Sequence, residues 1–378
     1  MAPFLVFSTV SVNRPNSLVP GDVIVPELLL QSKPDRICVM RLSAIGDTCH
    51  ALAVIRRLQD NWPDAHITWI IGKTEASLMA DIPDIRFVIF DKARGRAAYR
   101  DVRNALRGQR FDVALCMHAS LRANLLIRSL PADIRLGFDR ARAKDLQWLF
   151  TNRRIDAAQG EHAMEAMMAF ATAIGADSKA LRWDIPIAAA DQSFADGYRA
   201  PGKRLVVISA CSSQRARNYR DWRIENYAAV ISHLESEHDA RVLLTGGPTA
   251  KEKDYGAALS EASRADNLVG QSTLQQLAAL IRTADLVICP DSGPAHMATA
   301  LGTPVIGLYA TSNPDRTGPY NSRKYTINRY PDAIRTYLGK NVDAVHWGQR
   351  VRHPDAMDLI QLSDVIEKVD LFFDDRAN

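Results

Sequence analysis

The segment Asp291-Ser292-Gly293-Pro294-Ala295-His296 lies between two apolar runs, residues 285–289 and 304–308. An apolar run, a turn of small residues, a helix-permissive stretch and a second apolar run predict a strand, turn, helix and strand in succession. In such a unit the helix N-terminus offers free backbone N–H groups and the positive end of the helix dipole to an anion. Because Ser292 and Gly293 are small, a phosphate could approach the backbone closely. The segment therefore predicts an anion site.

A similar unit opens the first half of the chain, where the apolar run 36–40 leads into Arg41-Leu42-Ser43-Ala44-Ile45-Gly46-Asp47. The carboxylate of Asp47 is expected at the end of the first strand, where the next helix begins. A carboxylate at a helix N-terminus stays ionised and can act as a general base that takes a proton from a hydroxyl. An aspartate at this position can also serve only to cap the helix. The sequence leaves both roles open.

Around these two segments, continuous apolar runs alternate with amphipathic stretches. Continuous runs are typical of parallel strands that helices cover on both faces. In the first half the predicted strands are 36–40, 66–71, 86–90 and 111–117, and the predicted helices are 47–60, 74–80, 97–108, 120–130 and 161–174. In the second half the predicted strands are 204–209, 240–245, 285–289 and 304–308, and the predicted helices are 223–237, 250–264, 273–282, 294–301 and 362–373.

The restart of this alternation predicts two domains. Residues 186–203 are rich in proline, glycine and small residues, as expected for a linker. The predicted organisation is an extension without clear pattern (1–33), a first domain (34–185), the linker (186–203), a second domain (204–350) and a C-terminal helix and tail (351–378). The predicted fold class is α/β, with two Rossmann-like, doubly wound domains that face each other across a cleft.

Composition excludes several classes of protein. The 378 residues suffice for two α/β domains, and a hydrophobic content of 47% is that of a soluble globular protein. No segment reaches the roughly 20 apolar residues that a membrane-spanning helix needs. The first apolar residues of the chain do not follow a basic region, so a signal peptide is not predicted. The five cysteines occur singly. They predict buried thiols in a reduced, cytoplasmic protein, and neither a disulfide framework nor a zinc site.

Positive charge is concentrated in residues 92–154, which hold fifteen Lys and Arg residues against five acidic ones, a net charge of +10. The whole chain has a net charge of +4, so the remainder is acidic. A basic face of this density indicates an anionic partner, which could be nucleic acid, an anionic membrane surface, or a phosphorylated or carboxylated substrate. The alternative is a set of solvated helix faces. For the cluster as a whole we favour the anionic partner.

Two common nucleotide-binding patterns are missing from the sequence. Neither half contains the G-x-G-x-x-G of a dinucleotide-binding domain or the G-x-x-x-x-G-K-[ST] of a P-loop. A dehydrogenase is therefore disfavoured. No RNA-binding signature such as an RRM or KH motif is present either, which disfavours a nucleic-acid partner.

The ordered motifs resemble those of one enzyme family. Residues 41–47, followed by His50-Ala51-Leu52-Ala53, look like the N-terminal motif of the lipopolysaccharide heptosyltransferases, glycosyltransferase family 9. Residues 291–296, with Gly302, Pro304 and 308–311 after them, resemble the C-terminal nucleotide motif of that family. The central stretches 137–139, 149–154 and 161–162 are also similar. The likeness runs from about 35 to 373 in the correct order and spacing, so the set is far more specific than any single motif.

The resemblance implies a GT-B fold in which the first domain binds the acceptor and the second binds the nucleotide-sugar. Members of the family transfer heptose from ADP-heptose with inversion at the anomeric carbon. No metal cofactor is expected, and the sequence shows no D-x-D metal motif. Asp47 matches the proposed catalytic base. Arg217 stands where the family usually has a lysine, and its charge would neutralise the diphosphate as it leaves, although arginine differs in reach and hydration.

Further site residues follow from the same resemblance. The expected nucleotide-sugar-binding residues are Ser212, Arg217, Glu252, Ser272, Asp291, Ser292, Gly293, Pro294 and His296. Glu252 matches an acid that bonds the ribose, but it could equally be a solvated first-turn glutamate. Ser272 lies in a loop that lines the adenine in relatives, or it caps a helix. His296 either contacts a phosphate oxygen or packs under its helix. The expected acceptor-binding residues are Ser43 and Gly46 of the first motif and, from the basic window 92–154, Arg94, Arg96, Arg122 and Lys144.

The leading functional hypothesis is an inverting transferase that moves heptose from ADP-heptose to the Kdo/heptose inner core of lipopolysaccharide. The basic window suits this acceptor, because the inner core carries carboxylates and phosphates close to a membrane. The enzyme is then expected in the cytoplasm, peripheral on the inner face of the inner membrane, with no nucleic-acid partner. One alternative is a related GT-B enzyme with another nucleotide-sugar or acceptor. A second, from another class, is a non-catalytic α/β protein that binds anions or nucleic acid.

Overall fold

Parallel strands form two separate six-stranded sheets, one in each half of the chain. The structure is a computed structural model, and it describes residues 29–30, 32–177, 180–212 and 218–377. Most of the extension predicted at 1–33 therefore lies outside the described residues, as do Arg215 and Arg217.

The central strands β1, β2 and β4 of the first sheet are apolar runs that are buried on both faces. Its strands are β1 (Arg36–Met40), β2 (His66–Gly72), β3 (Ile85–Phe90), β4 (Phe111–Leu115), β5 (Ala132–Gly137) and β6 (Arg153–Arg154). The helices of this half are α1 (Ile45–Asn61), α2 (Lys73–Met79), α3 (Arg96–Ala105), α4 (Leu121–Ile127) and α5 (Ala163–Ala173). The strand order is β3-β2-β1-β4-β5-β6, and every pair is parallel.

The second half repeats the same design. Its strands are β7 (Arg204–Ile208), β8 (Ala240–Leu244), β9 (Asp266–Asn267), β10 (Leu286–Pro290), β11 (Val305–Tyr309) and β12 (Ile327–Asn328). Its helices are α6 (Ala189–Asp196), α7 (Ile224–Glu237), α8 (Ala250–Ser263), α9 (Leu274–Thr283), α10 (Gly293–Leu301), α11 (Pro314–Thr317), α12 (Tyr330–Leu338) and α13 (Leu362–Ala377). The strand order is β12-β11-β10-β7-β8-β9, again all parallel.

In each sheet the strand order reverses at one point, and a predicted motif follows a strand at each of these two points. In the first sheet the order reverses between β1 and β4, and Asp47 follows β1. In the second it reverses between β7 and β10, and the 291–296 turn follows β10. A crevice opens at the carboxyl ends of the strands at such a switch point, where ligands of doubly wound sheets bind. The predicted pair of doubly wound domains is confirmed.

Several elements differ from the sequence prediction. Strand β5 was not predicted because Asp133 and Arg135 interrupt its apolar run. The segment 186–203, predicted as a linker, contains helix α6, which packs on α9 of the second sheet. Helix α12 was not predicted because few of its residues are buried. The C-terminal helix is present, and α13 packs against α7, β11 and β12.

The two halves meet through α1 and α10, which pack closely against each other. One continuous apolar core contains residues of both halves, including Leu52 and Ile55 of α1 and Met297 and Ala298 of α10. The approach is close at Gly46, because a Cβ at this position would overlap Cδ2 of His296 and lie 2.9 Å from its Cγ. Glycine at position 46 therefore allows the two helices to meet.

Two expectations from composition can be compared with the described residues. The five cysteines (Cys38, Cys49, Cys116, Cys211 and Cys289) are free and buried, as predicted. Within the ranges that the structure describes, no helix has the length and apolar character needed to cross a membrane.

The helix contact yields a testable prediction. We expect Gly46→Ala to lower the free energy of unfolding by about 1–3 kcal/mol, the usual cost of inserting a methyl group into a packed site. Urea unfolding of the full chain measures it. Gly197→Ala is the matched control, because a Cβ there meets only the carbonyl oxygens of Phe194 and Ser193, at 3.4 and 3.8 Å. Equal stability of wild type and Gly46→Ala would show that Gly46 does not set the approach of α1 and α10.

Candidate active site at the domain interface

Asp47 lies in the first turn of α1, just after β1. Its Oδ2 accepts a hydrogen bond of 3.3 Å from the backbone N–H of Ala44, which is the N-cap of the helix. The same oxygen forms an ion pair with the guanidinium of Arg41. The capping role considered from the sequence is therefore present, with Asp47 as the third helical residue and not as the N-cap. This role uses only one of the two carboxylate oxygens.

The second oxygen of Asp47 is open. Among the described residues, Oδ1 has no hydrogen-bond partner, and 38% of the side chain is exposed. Burial raises the pKa of Asp47, but Arg41, His50, His296 and the Ala44 N–H together lower it below its ordinary value. The carboxylate is therefore ionised at neutral pH, and Oδ1 can accept a proton from a ligand.

Arg41 is fixed by the neighbouring strand. Its Nη1 donates to the backbone carbonyl of Met117 at 2.6 Å, at the end of β4. The next residue, His118, accepts a 3.3 Å hydrogen bond at Nδ1 from the Leu42 N–H. Burial and then the charge of Arg41 lower the pKa of His118 to about 4, so the imidazole is neutral. The ends of β1 and β4 are thus tied together beside Asp47.

The N-terminus of α10 faces this site from the other half. Ser292 is the N-cap, but its side chain does not cap the helix, and Pro294 occupies the first turn. The first backbone N–H groups therefore have no partner within the helix and can bind an anion. Gly293 lies beside Ile45, since a Cβ added to it would be 3.6 Å from Cβ of Ile45. The N-termini of α1 and α10 are consequently adjacent.

Asp291, just before this helix, binds side chains from three other segments. The residue is buried, and its Oδ2 accepts a 2.7 Å hydrogen bond from Ser312 Oγ. Arg220 and Arg350 lie 3.6 and 3.8 Å from the same oxygen, and Arg220 also donates to the Asp291 carbonyl at 2.5 Å. Two guanidinium groups are thus held at the end of β10, next to the helix terminus that is predicted to bind an anion.

Three histidines line the contact between the halves. The rings of His50 and His296 are 4.8 Å apart, and those of His50 and His162 are 5.8 Å apart. His162 accepts from the Met164 N–H at Nδ1, and its Nε2 lies 2.9 Å from the Gly318 carbonyl, so the proton is on Nε2. Burial lowers the pKa of all three, that of His162 to about 4. His50 (both nitrogens) and His296 (Nδ1) have buried nitrogens without partners in the described part of the chain.

Two of the remaining predicted nucleotide residues of the second half, Glu252 and Ser212, have structural partners. Glu252 is buried and not solvated. Its Oε1 accepts from the Gly247 N–H at 3.1 Å, and Thr249 donates to Oε2 at 2.5 Å. Ser212 is buried at the end of β7 and accepts from Asn218 at 2.6 Å. Ser272 does not cap α9, because Thr273 fills that position.

The predicted acceptor-side residues are spread over the first half. Ser43 lies in the loop before α1, and Gly46 is covered by the His296 ring. Arg94 forms an ion pair with Asp101 at 2.7 Å, so the positive charge that it could offer to an anionic ligand is partly neutralised. Arg96, Arg122 and Lys144 are exposed and have no ion-pair partner among the residues described. The structure thus gives Gly46 a packing role and leaves the three free cations facing solvent.

Sequence reasoning assigned no role to four residues that the structure brings to the site: Arg41, His118, Arg220 and Arg350. Arg41 belongs to the first motif, and its place at the end of β1 was the available signal. Arg220 lies three residues after Arg217, which was predicted to meet the diphosphate. Arg350 lies in a segment without periodic pattern, so no local signal pointed to it.

One group of side chains elsewhere could hold a metal ion. Of the residues that the structure describes, His233, His238 and Asp370 place three ligand atoms within 4.8 Å of one another. They belong to α7, its C-cap and α13, and not to the elements that carry Asp47 and His296. The prediction that heptose transfer needs no metal cofactor stays a prediction.

Comparison with known proteins places this site in a family. The model of glycosyltransferase family 9 (heptosyltransferase) matches residues 99–335. The lipopolysaccharide core heptosyltransferase OpsX of Haemophilus influenzae is 37% identical over 349 residues, which cover 91% of this chain and 99% of that protein. The chain belongs to glycosyltransferase family 9. Its predicted identity as a glycosyltransferase is thereby confirmed, and the non-catalytic alternative is excluded.

Solved structures show that this family 9 member has the predicted GT-B fold. A family 9 glycosyltransferase from Veillonella parvula superposes with a TM-score of 0.72 at 20% identity, covering 89% of this chain and 97% of the other. The Escherichia coli heptosyltransferase WaaC with ADP gives a TM-score of 0.68 at 19% identity, covering 89% and 99%.

The buried histidines predict how the stability of this glycosyltransferase depends on pH. His162 has a pKa of about 4 when folded, against 6.5 ordinarily. Between these values the unfolded chain binds a proton that the folded chain does not, so the free energy of unfolding falls as the pH falls. For each such histidine, the free energy of unfolding can fall by at most about 1.4 kcal/mol per pH unit. Asp47 contributes only below its ordinary pKa of 3.8, outside this window.

Urea unfolding at pH 7 and pH 5 tests this expectation. His50→Leu removes one buried imidazole and should reduce the loss of stability on acidification. His66→Leu is the control, because 75% of the His66 side chain is exposed and the variant should keep the wild-type pH dependence. The explanation fails if His50→Leu and the wild type lose the same free energy between the two pH values.

Proposed function

We propose that the protein transfers heptose from ADP-heptose to the Kdo/heptose inner core of lipopolysaccharide, with inversion at the anomeric carbon. The observation that carries the proposal is the position of the open Oδ1 of Asp47 beside the N-terminus of α10, where two arginines are also held. A base and an anion site on opposite sides of one cleft are what a single displacement at a sugar carbon requires.

In the proposed reaction, Asp47 Oδ1 takes the proton from the acceptor hydroxyl as its oxygen attacks the anomeric carbon. The bond to the diphosphate breaks on the opposite face, and ADP leaves. Arg41 and the Ala44 N–H hold Oδ2, so the carboxylate has one orientation and stays ionised until the proton arrives. General-base assistance of this kind contributes roughly 10²–10⁴-fold to rate.

The charge of the leaving diphosphate is met by groups of the second half. The free N–H groups of α10 and the guanidinium of Arg220 supply positive potential without a bound metal in this proposal. His296 lies in the same helix, and its buried Nδ1 has no partner in the part of the chain that the structure describes. The donor sugar or phosphate could provide that partner. We assign Arg217 to the leaving diphosphate as well, together with Ser292, Gly293 and Pro294 as the turn that accepts it.

Residues further from the reacting atoms are assigned to the nucleoside and the acceptor. Glu252 and Ser272 are proposed to contact the ribose and the adenine, with Ser212 and Asp291 supporting the surrounding loops. On the acceptor side, Ser43 and Gly46 lie next to Asp47, while Arg94, Arg96, Arg122 and Lys144 would bind carboxylates and phosphates of the inner core. We propose 34–185 as the acceptor domain and 204–350 as the nucleotide-sugar domain.

This acceptor implies a location. Lipopolysaccharide inner core is lipid-linked, so we propose that the enzyme works in the cytoplasm, peripheral on the inner face of the inner membrane. The direct test of the whole proposal is incubation with ADP-heptose and Kdo-lipid A, followed by mass spectrometry of the lipid. A mass increase of one heptose supports it. Transfer from another ADP- or UDP-sugar only would instead identify a related GT-B activity.

Asp47→Asn tests the proposed base. Asparagine can still accept the Ala44 hydrogen bond through its carbonyl oxygen, so we expect an intact fold and unchanged ADP affinity, with turnover lowered about 10²-fold or more. Asp91→Asn is the matched control, because Asp91 also caps a helix and pairs with a cation, Lys73, at 3.2 Å. Near wild-type turnover of Asp47→Asn would leave Asp47 as a helix cap alone.

Arg220→Ala tests the proposed diphosphate contact. Loss of a charge-assisted hydrogen bond costs about 1.5–3 kcal/mol, so calorimetry should show ADP binding weakened roughly 10- to 100-fold. Acceptor KM should change little. Arg223→Ala is the control, since its side chain is 63% exposed and pairs with Asp358. Unchanged ADP affinity in Arg220→Ala would move the role to Arg217 or Arg350.

A further inference from the structure

Exposed leucines are concentrated in one part of the first half. Leu121, Leu125, Leu146 and Leu149 are 60%, 50%, 52% and 68% exposed, and we call them the leucine patch. Leu121 and Leu125 are one turn apart on α4 and share a face of the helix. The segment that carries the other two is bound to α4. Asp145 Oδ2 accepts from the Leu121 N–H at 2.7 Å, and Asn124 donates to the Asp145 carbonyl at 2.7 Å.

The segment 144–149 reverses the usual distribution of polar and apolar side chains. Gln147 is fully buried, and it donates to the Cys116 carbonyl at 2.9 Å and accepts from the Phe138 N–H at 3.0 Å. Leu146 and Leu149, on either side, are exposed. Leu146 also has a φ of 57°, a left-handed conformation that costs free energy for a residue other than glycine. A buried amide thus holds the segment while its leucines face outward, which indicates a surface that meets something other than water.

Basic residues lie on the elements that carry the patch and on the neighbouring helix α3. Arg100, Arg122, Arg140 and Lys144 are exposed, and in the described ranges none of them has an ion-pair partner. The guanidinium of Arg140 lies 5.9 Å from the ring centre of Trp148, beside Leu149. Tyr99 donates to the Arg122 carbonyl at 3.3 Å, which connects α3 and its arginines to α4. An apolar centre with a cationic rim is complementary to an anionic lipid surface. A second copy of this chain would instead bring like charges together.

The patch is connected to the active site through the end of β4. Gln147 binds the carbonyl of Cys116, and Arg41 binds the carbonyl of the next residue, Met117. Arg41 in turn forms the ion pair with Asp47. The segment that presents the leucines and the arginine that orients the proposed base are therefore fixed to adjacent backbone groups. A lipid-linked acceptor in a membrane at the patch would lie on the same edge of the sheet as Asp47.

We propose that the leucine patch inserts into the interfacial layer of an anionic phospholipid membrane while Arg100 and Arg140 contact the headgroups. Arg122 and Lys144, which are assigned to the inner core, lie at the same rim and add to its positive charge. The lipid nature of the acceptor in this scheme rests on the proposed function, whereas the docking surface itself does not. Insertion would cover the four leucines and satisfy the cations at the same time.

The test uses the full chain and vesicles of equal parts phosphatidylglycerol and phosphatidylethanolamine, with phosphatidylcholine vesicles for comparison. Replacing all four leucines of the patch by glutamine should weaken flotation with anionic vesicles about 10-fold or more, because binding scales with buried apolar area. Melting temperature and ADP affinity should be unchanged. The control is the double variant Ile89→Gln, Leu338→Gln. It replaces two exposed aliphatic side chains outside the leucine patch, which are 41% and 37% exposed. Arg100→Gln with Arg140→Gln should weaken binding roughly fivefold per cation at low salt.

Activity separates this proposal from the preceding one. With a deacylated, water-soluble acceptor the leucine variant should turn over like wild type, and with an acceptor embedded in vesicles it should be slower. If wild type binds anionic vesicles through the patch but transfers no heptose, the proposed function fails and the docking surface stands. Wild-type vesicle binding by the leucine variant overturns the docking surface. A wild-type dimer that dissociates in this variant also overturns it, because a second copy would then cover the patch.

Discussion

The packing of α1 against α10 is the contact on which the proposed active site depends. Each helix follows the strand at the switch point of its own sheet, so each helix N-terminus already faces a crevice. Only their mutual approach brings the Asp47 carboxylate and the anion-binding turn of the other half into one site. That approach requires a residue without a side chain at Gly46, where the ring of His296 lies against the backbone.

The same contact also carries a free-energy cost. Buried polar nitrogens without partners cost about 1–3 kcal/mol each, and among the described residues His50 brings two of them into the interface. The apolar core that crosses from one half to the other offsets this cost. This balance is compatible with the proposed function, in which a nucleotide-sugar and an acceptor enter between the halves. The charge of Arg41 and the hydrogen bond from the Ala44 N–H offset the effect of burial on the pKa of Asp47, which explains why this carboxylate stays ionised although it is partly buried.

Much of the fold was predictable because a parallel strand that is buried on both faces has a continuous run of apolar residues in the sequence. Strands β1, β2, β7, β8, β10 and β11 are continuous apolar runs, and all were predicted. Strand β5 was not, because its polar residues follow from its place near the sheet edge, which is a property of the assembled sheet. Helix α6 was assigned to a linker because the sequence around it is rich in proline, glycine and small residues. The helix packs against α9, a partner that lies far along the chain.

The site was predictable in part for the same reason. Asp47 and the 291–296 turn lie at strand ends, and local sequence identifies such positions. Arg350 and His118 reach the site from distant segments, so no local pattern could assign them. The role of Asp291 also differs from a simple ligand contact, since its carboxylate holds Ser312, Arg220 and Arg350. The sequence identifies which residues could bind a ligand, whereas the fold determines which of them form hydrogen bonds or ion pairs with each other instead.

The shared core of the two halves has a consequence for protein engineering. A chimera that joins the first half of one relative to the second half of another, in order to change the donor sugar, would cut through a single apolar cluster. Residues Gly46 and His296, and the facing side chains of α1 and α10, would come from different parents. Such recombinants should therefore be designed with both helices taken from the same parent, so that the unit of exchange is the helix pair and not the domain.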